Sequence, residues 1–255
     1  MWGKQTLIQL AVAYHLSVPT IQKYLDQHTP SRHIPLTPHT TILVVDTTFW
    51  GRSYGVCVFR SPTLKKNLWW SEVTSERMTT YLYGRQILES HGWMFTAVVI
   101  DGRRGLTTVF QGIPIQICIF HQMKTVTKWL TRSPETIPGQ ELRALTLTLS
   151  STTEVVFTHA LSEWYKQHKN FVEEKTHMHG GRWHYRHGRV RSAYRSIERN
   201  LPYLFTYEHH PELSIPKTAN TIDGSFSPLK KKVSAHTGLR KDRRFKVIEE
   251  LLMNS

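Results

Sequence analysis

The sequence predicts an α/β fold, and three observations support that prediction. The apolar runs Ile42–Val45 and Ala97–Ile100 have the length of strands, and each is followed by an aspartate. Further strand-like runs alternate with segments whose apolar residues have helical spacing. The chain has 255 residues, of which 39% are hydrophobic. We therefore expect one principal core, with small appendages, in which strands and helices alternate.

Residues 1–28 are predicted to form a pair of short helices. Ser17 is a good N-cap for the second helix, and Pro19 suits its first turn. The pattern resembles a helix-turn-helix segment, whose second helix would read the DNA major groove. The candidate contacts are then Thr20, Gln22 and Lys23. An ordinary helical hairpin is the alternative. Residues 29–40 contain three prolines and are predicted to be a linker.

The central part of the chain contains the predicted sheet. The elements expected in order are strands at 41–48, 53–60 and 67–73, a helix at 76–90, strands at 95–100 and 113–119, and an amphipathic segment at 120–130. This order is that of a ribonuclease-H-like core, although doubly wound folds share much of it. Residues 41–131 and 208–255 are assigned to this core. Residues 132–207, with helices expected at 141–149, 155–174 and 190–204, are assigned to an all-helical insertion.

Asp46 and Asp101 are the first candidates for chemistry because each follows a hydrophobic run. In α/β sheets ligands bind at the carboxyl ends of strands, and carboxylates there suit Mg²⁺. The alternative is that each aspartate only starts a turn. Asp223 is the third candidate, at the start of a helix for which Asn220 is the predicted N-cap. A purely structural capping role is its alternative.

Four segments together resemble Mutator-like bacterial insertion-sequence transposases, over most of the chain from Thr41 to Leu252. Residues 44–49 (Val-Val-Asp-Thr-Thr-Phe) look like the first acidic motif of that family, and residues 99–105 (Val-Ile-Asp-Gly-Arg-Arg-Gly) like the second. Residues 118–121 (Cys-Ile-Phe-His) are similar to the motif that follows the second acid. Residues 220–239, from Asn-Thr-Ile-Asp-Gly to His-Thr-Gly-Leu, resemble the last catalytic motif.

The resemblance implies a DDE-type DNA transposase. Its fold would be a ribonuclease-H-like core interrupted by an all-helical insertion, with the N-terminal helix-turn-helix segment in front. Asp46, Asp101 and Asp223 would hold two Mg²⁺ or Mn²⁺ ions. The enzyme would cleave transposon ends and join them to target DNA, as a homodimer or a larger assembly on double-stranded DNA. Two departures stand out: the third acid is usually Glu, and Pro228 falls inside an expected helix.

Cys118 and His121 have the spacing of metal ligands, yet a structural zinc needs four ligands and Cys57 is the only other thiol. We therefore expect them to support the active site. The histidines at 177, 179, 184 and 187 alternate with Gly, Arg and aromatic residues, which is more typical of a loop that touches DNA than of a metal site.

The charge of the chain points to a polyanionic partner. Lys and Arg number 33 against 19 Asp and Glu, a net charge of +14. Residues 182–199 hold six Arg against one Glu, and residues 217–246 hold nine Lys or Arg against two Asp. A solvated helix face is the alternative reading. The candidate DNA contacts in these stretches are Arg182, Trp183, Arg189, Arg191, Lys230, Lys231 and Lys232. Trp164 is expected to pack in the core.

The apolar runs are too short to span a membrane, and two distant cysteines exclude a disulfide scaffold. We therefore expect a cytoplasmic, nucleoid-associated protein. Two other functions stay open at this point. One is a DNA-binding remnant or regulator without catalysis, an alternative that Asp223 and Pro228 favour. The other is a related ribonuclease-H-like nuclease that does not transfer strands.

Overall fold

The computed structural model describes residues 5–29, 37–234 and 238–254, and only the backbone of residues 221, 223 and 225. The helices are α1 (Leu7–Tyr14), α2 (Val18–Gln27), α3 (Met78–Ser90), α4 (Leu106–Val109), α5 (Ile119–Leu130), α6 (Ile137–Leu147), α7 (Glu154–Glu173), α8 (Gly188–Asn200), α9 (Thr206–His209), α10 (Asn220–Ser234) and α11 (Lys241–Met253). The strands are β1 (Thr40–Phe49), β2 (Gly55–Ser61), β3 (Lys66–Val73), β4 (Met94–Ile100), β5 (Ile115–Ile117), β6 (Lys175–His177) and β7 (Trp183–Tyr185).

The fold is α/β, as predicted, and is built on a mixed five-stranded sheet with the order β3-β2-β1-β4-β5. β1 and β4 are parallel, as are β4 and β5, whereas β2 and β3 are antiparallel. Most residues of β1, β2 and β4 are buried. Strands buried on both faces contain continuous apolar runs, which is why these three were detectable in the sequence.

The chain divides into two compact units. The first comprises the described residues up to His39, residues 47–92, and the described residues from Asn220 onwards. The second comprises residues 40–46 and 93–219. The domain boundaries expected from the sequence stay a prediction.

In the first unit, α3 packs closely on β3. A Cβ added at Gly84 would lie only 2.6 Å from Cζ3 of Trp69, so no larger residue fits there without a shift. Trp69 in turn meets Phe59 edge to face, with ring centroids 5.0 Å apart. Cys57 is fully buried in β2. This unit therefore has its own apolar core.

The predicted helical pair is present in the first unit as α1 and α2. The Ser17 hydroxyl caps α2 by accepting a hydrogen bond from the Thr20 amide at 3.2 Å. Arg243 of α11 donates two hydrogen bonds to the Asp26 carboxylate, at 2.5 and 2.7 Å. Lys246 donates to the Asp26 carbonyl at 2.5 Å. The C-terminal helix therefore holds the end of α2.

Pro228 lies inside α10, as the sequence predicted, and the helix continues through it. Asn220 is the first residue of the helix rather than its cap. The proline is exposed, and the buried positions of the same helix lie on another face. Those buried residues are Ile222, Phe226, Leu229 and Val233.

The second unit contains the strands β4 and β5, which are connected through α4, and the helices α5 to α8. Trp164 of α7 is buried, and its indole N–H donates to the Pro138 carbonyl at 3.1 Å. Its predicted place in the core is confirmed. Two short strands, β6 and β7, pair antiparallel within the segment expected to be all helical, with Thr176 opposite His184. The segment expected to be a loop is therefore a hairpin.

Across the described ranges, no helix combines the length and apolarity that crossing a membrane requires.

Candidate active site

Asp46 and Asp101 lie on neighbouring parallel strands of the second unit. Asp46 lies within β1, and Asp101 directly follows the last residue of β4. The register pairs Val44 with Val99, the residues two positions before Asp46 and Asp101. Residues two positions apart on a strand lie on the same face of the sheet, so each acid continues the face of its partner in that pair. The structure therefore places the first two predicted acids at equivalent distances beyond the last register pair of β1 and β4.

Both carboxylates are withdrawn from solvent. Asp46 is 9% exposed and Asp101 is partly buried. Burial raises the pKa of the Asp101 carboxyl. Two smaller effects oppose this shift: a hydrogen bond of 3.1 Å from the Arg103 amide to Oδ1, and the charge of His121. The structure thus keeps an anion where desolvation disfavours it, which is typical of functional carboxylates.

Cys118 and His121 lie beside this pair. The Cys118 amide donates to the carbonyl of Ile100, directly before Asp101, at 2.8 Å. The thiol is buried and accepts a hydrogen bond from the Ala219 amide at 3.2 Å. His121 is close enough for its charge to lower the pKa of Asp101, and its buried Nδ1 has no hydrogen-bond partner within the described part of the chain. Cys118 thus fixes the end of β4, and His121 brings a polar nitrogen near the acid.

The third predicted acid, Asp223, lies in α10, and its side chain is outside the described part of the structure. Its role stays a prediction. Among the side chains that the structure does describe, no three His, Cys, Asp or Glu residues form a metal-binding group.

The available residues fit a hard divalent cation. Aspartate oxygens are the donors that Mg²⁺ and Mn²⁺ prefer, and a cation would offset the desolvation that raises the pKa of Asp101. The buried Nδ1 of His121 has no hydrogen-bond partner among the described side chains, so it is a further polar atom near Asp101.

The predicted DNA contacts of the first unit lie on α2 and α10. On α2, Lys23 is exposed, whereas Thr20 and Gln22 are half-buried. The Thr20 hydroxyl is within 2.7 Å of the Ser17 hydroxyl. On α10, Lys231 and Lys232 are exposed in the last turn, and Lys230 is half-buried. The DNA contacts of these residues stay a prediction, and Thr20 also supports the helix cap.

In the second unit, the β6–β7 hairpin carries Trp183, which is 48% exposed. Lys175 lies over its ring, with Nζ 4.0 Å from the centroid. Arg191 lies over the ring of Tyr185 at 3.6 Å and is also paired with a glutamate. Such alternation of cations and rings suits contact with nucleic acid.

The other two basic candidates of the second unit are both exposed. Arg182 lies at the tip of the hairpin. Arg189, at the start of α8, donates to the Trp129 carbonyl at 2.8 Å.

The site also contains a polar network that the sequence did not suggest. Asn200, at the end of α8, donates to the Gly102 carbonyl at 3.4 Å and to Gln122 at 2.7 Å. Gln122 donates to the Ser196 hydroxyl at 3.2 Å. All three amide and hydroxyl side chains are buried. A Cβ added at Gly102 would overlap the Asn200 amide nitrogen, so glycine is needed there for the close approach.

No protein-family model and no curated protein matches this chain.

Proposed function

We propose that the protein is a DNA transposase that cleaves and joins phosphodiesters with the help of divalent metal ions. The observation that carries the proposal is that Asp46 and Asp101 each come two residues after the last register pair of the parallel strands β1 and β4, Val44 and Val99. Withdrawal from solvent and a raised pKa at Asp101 support it. The four motifs of the sequence assign Asp223 as the third acid.

Asp46 and Asp101 would hold the metal. When bound there, Mg²⁺ lowers the pKa of water and offsets the charge that develops on a phosphate. The chain itself supplies positioning. The Arg103 amide orients Oδ1 of Asp101, and the amide of Cys118 holds the strand end from which Asp101 projects. The basic residues would hold the DNA strands by their phosphates.

The ribonuclease-H-like topology, the insertion at 132–207 and the helix-turn-helix role of α1 and α2 belong to the same proposal. Strands β1, β4 and β5 are parallel and β2 pairs antiparallel with β3, which is compatible with such a core. Two DNA ends must be held together for strand transfer, so the proposal includes a homodimer or larger assembly. The net charge of +14 also accords with a protein that acts on nucleoid DNA.

The test is nicking of supercoiled plasmid with Mg²⁺, Mn²⁺ or EDTA. Wild-type protein should nick only with metal, and Asp46→Asn and Asp101→Asn should each abolish nicking. Asp242→Asn is the matched control, because that exposed aspartate makes only a surface ion pair with Arg240 at 3.5 Å. Nicking that survives in both active-site variants would refute the acidic site. If nicking depends on both acids, an assay for strand joining by the wild-type protein distinguishes a transposase, which joins strands, from a nuclease, which does not.

A DNA-binding protein without catalysis is the second candidate, and Pro228 inside α10 favours it. The helix that carries Asp223 contains a residue that removes a helical hydrogen bond. In that case DNA binding would be intact in wild type, Asp46→Asn and Asp101→Asn, and none of the three would nick. Short inverted repeats beside the gene would favour the transposase instead.

A further inference from the structure

Two arginines beside the acid pair have no assigned role. Arg104 lies in the loop that follows Asp101, and Arg199 is the penultimate residue of α8. Both belong to the second unit, and both are exposed. Neither was among the residues that the sequence suggested for DNA binding.

The network of Asn200 joins the chain next to Arg199 to the loop that contains Arg104. Asn200 directly follows Arg199 and is bonded to the carbonyl of Gly102 and to Gln122. The side chain of Asn200 also accepts a bond from Nε of Arg199 at 3.3 Å. Because Gly102 leaves no room for a Cβ, the loop after Asp101 lies directly on the end of α8. The positions of both arginines are therefore tied to the position of Asp101.

The charges of the two arginines are close and uncompensated. Burial lowers the pKa of Arg199, and the positive charge of Arg104 lowers it further. Within the described part of the chain, neither side chain forms an ion pair with a carboxylate. The contrast is Arg195, one turn earlier on α8, which pairs with Glu198 at 2.6 Å and Glu173 at 3.1 Å. Two neighbouring cations without an acid favour an anionic ligand.

We infer that Arg104 and Arg199 bind one phosphate of the DNA strand next to the acid pair. Guanidinium groups present planar donors that match phosphate oxygens, and two of them can hold the same phosphate. Arg104 follows Asp101 closely in the chain, so a phosphate held here sets the register of the strand relative to Asp101. The DNA identity of the ligand rests on the proposed function; the anionic site itself does not.

The test measures binding rather than cleavage. Fluorescence anisotropy with a short labelled DNA duplex, in EDTA and over a series of NaCl concentrations, compares wild type with Arg104→Gln, Arg199→Gln and the double variant. Loss of one phosphate contact lowers the slope of log K against log salt by about 0.9. We expect that loss in the double variant, roughly tenfold weaker binding at low salt, and a combined effect smaller than the sum of the single effects.

Lys169→Gln is the control, since it removes an exposed cation of α7 that has no described partner. The change that Lys169→Gln causes in the slope of log K against log salt should differ from the change caused by Arg104→Gln and from that caused by Arg199→Gln. Arg199→Lys keeps the charge and should restore most of the slope, which separates loss of a contact from loss of structure. Circular dichroism verifies that each variant is folded.

Each outcome decides one claim. Equal slopes in wild type and the double variant would overturn the DNA contact, even if the wild type nicks DNA, and the anionic site falls with it if phosphate stabilises both proteins equally. A lowered slope in a protein that never nicks would support the site and count against the proposed enzyme. Inorganic phosphate is the second probe: if it stabilises wild type against heat but not the double variant, while the DNA slopes agree, the ligand is a free anion and the DNA inference is wrong.

Discussion

The carboxyl group of Asp101 lies in a position where burial raises its pKa. A raised pKa means that the folded protein holds the proton more tightly than the unfolded chain does. The resulting stability is complete below the ordinary carboxyl pKa of about 3.9 and is lost as pH rises through the raised value. At neutral pH and without metal, the charge of Asp101 therefore opposes folding.

Replacing Asp101 by Asn should stabilise the metal-free protein at neutral pH. The asparagine can still accept the bond from the Arg103 amide, and no charge is buried. We expect a Tm a few degrees higher in EDTA, since about 1 kcal/mol corresponds to roughly 2–4 °C in a chain of this size. Thermal unfolding across pH measures this. The advantage should vanish in acid, and an advantage that persists there would contradict the argument.

Gly102 and Asn200 should show strong coupling. Gly102→Ala would force a Cβ onto the Asn200 amide and lower the free energy of unfolding by about 1–3 kcal/mol. Asn200→Ala would leave Gln122 without its partner and cost about 1–3 kcal/mol. In the double variant the overlap is gone, so the two costs should not add. Urea unfolding of the four proteins measures the coupling, and simple additivity would disprove the contact.

The two acids and this network differ in how far the sequence predicts them. Asp46 and Asp101 follow apolar runs, so local pattern alone identified them as candidates, although Asp46 lies within β1 and not at its end. Both come two residues after the last register pair of the parallel strands β1 and β4. Gly102 and Asn200 are 98 positions apart, and neither is marked by its neighbours. Only folding reveals that contact. The proximity of Arg104 to Arg199 could not be predicted either, because these residues are also far apart in the sequence.

Among the elements, strands and helices with clear periodicity were predicted within a few residues. The hairpin of β6 and β7 was not, because each strand has only three residues and no alternation of apolar and polar side chains. The contact of α11 with α2 was equally hidden, since it joins the two ends of the chain. It includes the bidentate pair between Arg243 and Asp26 and the bond from Lys246 to the Asp26 carbonyl.

Arg243→Gln should loosen α2 from α11. Its hydrogen bonds lower the pKa of Asp26, so the contribution of this pair is present above the ordinary carboxyl pKa and is lost as pH falls. We expect faster amide hydrogen exchange in α2 and little change in Tm, because the pair is at the surface. Arg240→Gln, at the N-cap of α11, is the control, because Arg240 acts on Asp26 through its charge alone. Unchanged exchange in α2 would show that other contacts hold the helix.

At the scale of the whole molecule, the net charge of +14 is the leading feature. Like charges repel within a folded chain, and dissolved salt screens that repulsion. We expect added NaCl to raise Tm while it weakens DNA binding, and Lys231→Gln with Lys232→Gln to reduce both effects. Thermal unfolding and anisotropy in the same buffers measure the two trends. A Tm that falls with salt would mean that attractive ion pairs outweigh the repulsion.

The buried thiols of Cys57 and Cys118 can report when each compact unit opens. One lies in β2 of the first unit and the other at the start of α5 in the second, and both are fully shielded from solvent. A thiol reagent can react with either only after its own unit opens. In the Cys57→Ser protein only Cys118 can be labelled, so the labelling rate measures the opening of the second unit. In the Cys118→Ser protein only Cys57 can be labelled, and the rate measures the opening of the first unit. Two equal rates would mean that the units open in a single event, and two different rates that one opens while the other stays closed.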